Sequence, residues 1–167
     1  MFTFQNASLL LAALATALAA GLFYSYSCSV NPGLARLGDR EYLLAMQSIN
    51  RAILNPVFFA SFLGALLLLP VSAWLHYTSP ASLRFWLVAG AAIVYGVGLF
   101  GVTMFGNVPL NNMLDSFTIE GAAPATLSET RLAFEGPWNR WHLVRTLAVI
   151  LSLVLVLAAC LAGDKDA

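Results

Sequence analysis

A histidine and an arginine enter the last apolar run of the chain together, in Trp138-Asn139-Arg140-Trp141-His142-Leu143-Val144-Arg145. An imidazole exchanges a proton near neutral pH, and a guanidinium in a low-dielectric setting stabilises a developing anion. The pair therefore has the chemistry of a base and an oxyanion partner. On a helix Trp138, Trp141, His142 and Arg145 recur at spacings of three and four and share one stripe. Ionisable groups one or two turns inside a membrane boundary cost several kcal/mol and by default mark a functional site. The competing reading is that both side chains snorkel to the headgroups while the two tryptophans sit in an interfacial belt.

The elements that must position this stretch are themselves apolar. Of 167 residues, 60% are hydrophobic and only 10% charged, whereas soluble domains carry roughly 25% charged residues. An integral membrane protein is expected. The formal charge is zero and no run of Lys or Arg is present, which argues against nucleic acid or an anionic lipid surface as the main partner. Nothing basic precedes Arg36, so the first apolar stretch lacks the positive segment of a signal peptide and reads as a retained span. Cys28 and Cys160 offer neither a metal spacing nor a disulfide framework, and read as small apolar fillers.

Four runs reach the ~20 residues that a ~30 Å hydrocarbon core requires: residues 8–30, 53–75, 85–106 and 138–161. The first should stop at Asn31-Pro32-Gly33, because Pro cannot continue the helical ladder and Gly favours a turn. Asp39 reads as the cap of an amphipathic, interfacial helix that buries Tyr42, Ala45, Met46, Ile49 and Ile53 and turns Gln47, Asn50 and Arg51 elsewhere. Asn55-Pro56 and Pro70 suggest kinks in the second span. In the third, Ala92 and Gly96 form a small-xxx-small pair suited to close packing, and Asn107-Val108-Pro109-Leu110-Asn111-Asn112 ends it. In the long connection that follows, Thr126-x-x-Glu129 reads as a capping box that starts a short helix ending near Gly136-Pro137. Gly163-Asp-Lys-Asp-Ala closes the chain as a charged tail. The fold expected is all-α: an integral membrane four-helix bundle, up-down-up-down, with short interfacial helices in the first and third connections and one transmembrane domain over residues 1–167.

That topology gathers Tyr24, Tyr26, Asn31, Asn55, Asn107, Asn111, Asn112, Trp138, Trp141, His142 and Arg145 at one membrane face and leaves the other with little beyond His76 and Arg84. Both faces meet the same water, so solvation alone does not account for the asymmetry. The tyrosines are either belt residues or cavity lining, and the amides either hold a ligand or satisfy backbone freed at a broken helix. A bis-histidine haem is disfavoured because His76 lies about 30 Å along its helix from the Asn55 end. No second Cys, His or carboxylate accompanies His142 at metal-ligand spacing, so no cofactor is expected, and a redox subunit with haem or copper on a single histidine stands as the lesser alternative. Arg36, Arg40, Arg51, Arg131 and Arg140 against Arg84 and Lys165 place the polar face in the cytoplasm, with the chain in a plasma membrane such as the bacterial inner membrane.

With Asn107-x-Pro109-x-Asn111-Asn112 followed about thirty residues later by Trp138-x-x-Trp141-His142-x-x-Arg145, the chain resembles the anthrone oxygenase-like family of small four-span membrane proteins. The likeness extends to the aromatic first span ending at Asn31-Pro32 and to the Arg51 to Pro56 stretch. It implies oxidation of an anthrone-like or quinol-like phenolic molecule by O2 without metal or flavin. His142 would be the base and Arg145 the cation for the phenolate, superoxide or peroxide. Asn107, Asn111, Asn112 and Asn55 would hold oxygens, and Trp138, Trp141 and Tyr24 would pack the rings. The partners expected are a lipophilic substrate and membrane lipid, with a second copy or a partner membrane subunit open. The alternative is a non-catalytic subunit that binds a lipid, a quinone or partner helices.

Overall fold

The computed structural model describes residues 3–162; the charged tail expected at residues 163–167 lies outside them. Among the described residues there are five helices and no strands: α1 (Phe4–Leu34), α2 (Asp39–Ala52), α3 (Pro56–Leu75), α4 (Leu83–Ser116) and α5 (Pro124–Leu161). All but α2 are long and apolar enough to cross a membrane. They form the expected antiparallel bundle, with Leu10, Leu14, Leu18, Leu67, Trp86, Ile93, Leu147 and Val154 exposed on its outside. In water such a surface would aggregate; in a bilayer it needs no partner.

Alanines bring the first two spans together. Ala12, Ala13, Ala15, Ala19 and Ala20 are buried on α1 against Phe62, Ala65, Leu69 and Ala73 of α3 and join the main core. Ser8 and Ser72 share a buried hydrogen bond of 2.9 Å across this contact. The close approach of α4 to α5 rests on Gly98 rather than on Ala92 and Gly96. A Cβ built on Gly98 would stand 2.6 Å from the Ala148 Cβ, whereas one on Gly96 meets only a leucine methyl at 3.9 Å. Gly98→Val should therefore force the two spans apart, at a cost of about 1–3 kcal/mol and a lowered melting temperature in detergent; a Gly96→Ala control should change little.

Several predicted breaks do not break. Helix α1 runs through Asn31-Pro32-Gly33 to Leu34, because residues Tyr26–Val30 form a π turn in which the Asn31 N–H reaches the Tyr26 carbonyl five residues back. That register absorbs the proline, which has no N–H to place. Two further π stretches, Val94–Gly101 and Thr103–Asn107, carry α4 through Pro109 to Ser116. The predicted capping box at Thr126 is also absent. Helix α5 starts at Pro124 behind Ala123 and continues through Gly136-Pro137, so the expected short third-connection helix and the fourth span are one 38-residue rod. At 1.5 Å per residue it spans about 57 Å, well beyond a ~30 Å hydrocarbon core.

The excess length of α5 builds a second core outside the bundle. Tyr42, Leu43 and Met46 of α2 pack on Leu114, Ile119, Leu127, Phe134 and Trp138. Gln47, expected on the solvent side, turns inward and donates to the carbonyls of Leu114 at 2.7 Å and Phe117 at 2.9 Å, closing the end of α4. Asp39 is the first helical residue rather than the cap, which is Gly38. Arg131 ties the turn before α2 to α5. It donates to the carbonyls of Ala35 and Leu37 and to the carboxylates of Asp39 and Glu135, and it covers the Tyr42 ring at 4.4 Å. Burial, with the Glu135 carboxylate second, pushes the Tyr42 hydroxyl above its ordinary value, so the ring under the guanidinium stays neutral. At the far end of the bundle Arg84 donates to the carbonyls of Ala159 and Ala162, a cation on the C-terminus of α5. His76 closes α3 there through a 2.8 Å bond between its Nδ1 and the Ser72 carbonyl.

Candidate functional site

The inward stripe of α5 is Trp138, His142, Arg145, Val149, Ser152, Val156 and Ala159, all buried. Its steps alternate four and three, the 3.5-residue repeat of a packed helix seam. Trp138, His142 and Arg145 thus occupy the first positions of a core stripe. His142 is 3% exposed and Arg145 6%. Trp141 falls beside the stripe and is 43% exposed; its indole covers Gly106, where a Cβ would come within 2.8 Å.

On α1 the face that is buried as far as Phe23 continues to Tyr26, which is half-buried, and to Ser27, which is exposed but within reach of His142. Phe23 and Trp138 both stack on the His142 ring, with centroids 5.9 Å and 5.2 Å away and planes 18° and 11° apart. Tyr26 tilts against it at 6.0 Å. The Arg145 guanidinium lies over the Phe23 ring at 4.8 Å and the Trp138 ring at 5.4 Å. Its hydrogen bonding is sparse, with Nη1 to Thr103 Oγ1 at 3.4 Å and Nε unpartnered. Among the described residues no carboxylate lies within ion-pair distance of it.

These groups border one cavity of about 110 Å³ that is open at its mouth. Its walls are Leu22, Phe23 and Tyr26 of α1, Ile49 and Asn50 of α2, Ile53 and Leu54, Phe58 of α3, Thr103, Val108 and Asn111 of α4, and Trp138, His142 and Arg145 of α5. Three side-chain nitrogens of these wall residues are buried and unpartnered: Asn50 Nδ2, His142 Nδ1 and Arg145 Nε. Among the described residues no three His, Cys, Asp or Glu side chains gather as metal ligands would.

The remaining candidate residues are placed unequally. Asn111 lines the cavity and accepts from Trp138 Nε1 at 2.9 Å, which fixes the indole plane. Asn107 is fully buried and donates to the Trp138 carbonyl at 3.2 Å, bracing α5 where Pro137 lies inside it. Asn55 is removed from the ligand-contacting set, because it caps α3, accepting from the Phe58 N–H at 3.0 Å and donating to the Ala52 carbonyl. Asn112 is exposed one residue past Asn111, and Tyr24 is 59% exposed, about 200° around α1 from Tyr26. Tyr24, Trp141 and Asn112 are thus outside the cavity wall. Sequence reasoning passed over Phe23, Asn50, Thr103, Ser27 and Thr146. Stripe continuation signals Phe23 and Ser27, and Thr103 is the only Ser or Thr among residues 83–106.

The family model of the anthrone oxygenases matches residues 53–155. The chain belongs to the anthrone oxygenase family. In this family member the matched stretch holds Thr103, Asn111, Trp138, His142 and Arg145, while the walls from α1 and α2 lie before it. No curated protein and no solved structure matches the chain.

Proposed function

We propose that the chain is a membrane-embedded, cofactor-free oxidase of a lipophilic phenol of the anthrone or quinol type, with O2 as the oxidant. One observation carries this reading: a buried guanidinium with no carboxylate partner among the described residues borders an aromatic cavity together with a histidine that has an unpartnered ring nitrogen. An uncompensated buried charge costs several kcal/mol, and an anionic ligand would remove that cost.

The chemistry runs as follows for an anthrone. His142 takes a proton from the methylene carbon beside the aromatic rings, and the electron pair moves into the carbonyl to give a phenolate-like oxyanion at Arg145. The electron-rich carbon passes one electron to O2, and the resulting radical and superoxide combine to form a C–O bond. The imidazolium returns its proton to the peroxide. Loss of the second hydrogen from that carbon as a proton, with cleavage of the O–O bond, releases water and leaves a new C=O. One O2 is consumed, and one quinone and one water form. Asn50 Nδ2 donates to a neutral oxygen elsewhere on the substrate, while Phe23, Tyr26 and Trp138 contact its rings. The substrate partitions into the bilayer, and the distribution of Lys and Arg supports a cytoplasmic α2 face in a plasma membrane.

Oxygen uptake by the purified protein on addition of anthrone, with quinone formed one for one, tests the reading. Binding that quenches tryptophan fluorescence without oxygen uptake would replace it with that of a ligand-binding subunit. Asn50→Leu should raise KM about tenfold, the loss of one hydrogen bond of ~1.4 kcal/mol, with kcat changed less; an unchanged KM would remove Asn50 from the substrate contacts.

A further inference from the structure

We propose that Ser27 and Thr146 fix the tautomer of His142, with the proton on Nε2 and the lone pair on Nδ1; the proposal deepens the reading of His142 as a base. Both hydroxyls stand at Nε2, Ser27 Oγ at 3.0 Å and Thr146 Oγ1 at 3.4 Å. Where their own protons go decides the ring. Thr146 donates to the His142 carbonyl one turn back at 2.9 Å, and Ser27 donates to the Phe23 carbonyl at 3.3 Å. With both hydroxyl protons committed to backbone carbonyls, the oxygens face Nε2 as acceptors, so Nε2 carries the N–H.

The opposite tautomer is poorer on two counts. A proton on Nδ1 would leave a buried N–H with no acceptor, since Nδ1 has no partner, and orphaned donors are rarer in folded proteins than orphaned acceptors. Ser27 would also have to surrender the Phe23 carbonyl to donate to Nε2. The arrangement proposed is a directed chain, from Nε2–H to the Ser27 oxygen and from its hydroxyl to Phe23. Its far end is a carbonyl, which accepts and never donates, so turning the Ser27 proton toward Nε2 would cost that end its donor. After proton capture at Nδ1, the imidazolium keeps Nε2–H satisfied. Ser27 and Thr146 are positioning residues in this scheme. The sequence hides them because their partners are 115 and four residues away from them.

The test reads the ring nitrogens directly. The chain has two histidines, His76 and His142, and 15N-histidine labelling with a His76→Gln variant isolates the His142 signals in micelles. The wild type and Thr146→Ser should show Nε2 protonated and Nδ1 bare. Ser27→Ala combined with Thr146→Val should convert these to the shifts of mixed tautomers and lower kcat about tenfold with KM nearly unchanged. Ser27→Ala alone guards against a double variant that does not fold. A proton on Nδ1 in the wild type, or unaltered shifts in the folded variants, would overturn the proposal. Shifts that move as expected in a protein that consumes no oxygen would uphold the tautomer and fail the oxidase.

Discussion

Replacing Arg145 by Met is expected to yield a protein that melts higher and turns over about 10²- to 10³-fold more slowly. The two effects share a cause. The guanidinium is 6% exposed, holds one long hydrogen bond and, among the described residues, faces no carboxylate. Its contacts with the Phe23 and Trp138 rings return about 0.5–2 kcal/mol each, against a desolvation cost of several kcal/mol. A thioether side chain of similar length removes that cost, so stability should rise by about 1–3 kcal/mol. The same change removes the only positive charge on the cavity wall, and losing one pre-organised oxyanion donor typically slows a reaction by that 10²- to 10³-fold. Melting in detergent and oxygen uptake on one preparation measure both. A variant that melts lower would show Arg145 to be a structural strut, and one that turns over normally would remove it from the reaction. Arg145→Lys should keep part of the activity, since it supplies charge without the planar fork.

His142→Ala is expected to slow oxidation by about 10²- to 10⁴-fold, the usual worth of a positioned base. Deleting the ring also opens a gap between Phe23 and Trp138, so activity loss alone would not separate chemistry from packing. Two companions do. His142→Phe refills the stack between the aromatic rings and should be as inactive as the alanine variant. Free imidazole added to His142→Ala can enter the gap and should restore part of the oxygen uptake, with no effect on His142→Phe. An alanine variant that imidazole cannot rescue beside an active phenylalanine variant would mean that the ring serves only as a spacer.

Hydropathy was enough for the bundle, because four runs of bilayer length admit few other folds and polar residues near their ends fall together by topology alone. Helix breaks were harder to read. Pro32, Pro109 and Pro137 look like terminators in sequence, yet π turns and neighbouring side chains satisfy the backbone around them. Asn107 on the Trp138 carbonyl is one such brace. The site residues divided on angular grounds. His142, Arg145 and Trp138 lie on a stripe defined by seven buried positions of α5, and that periodicity is visible in the sequence. Tyr24 and Tyr26, or Asn111 and Asn112, differ by one or two residues whose composition is alike; only the facing helices decide which member turns inward. Asn55 carried two plausible roles, and its place directly before Pro56 favoured the cap. Asn50 was hidden by an amphipathic pattern that set it apart from the buried face, although it is half-buried at the cavity wall.

The cavity draws its floor from the spans and its roof from α2, so it belongs to neither core and exists only along the joint between them. What holds that joint is the packing of Tyr42, Leu43 and Met46 on α5 and the end of α4, together with two hydrogen bonds from the Gln47 amide, an exposed Arg51–Asp115 pair at 2.6 Å and the Arg131 clasp. The reaction proposed for the site would keep its carbanion from water only while α2 stays seated on that packing.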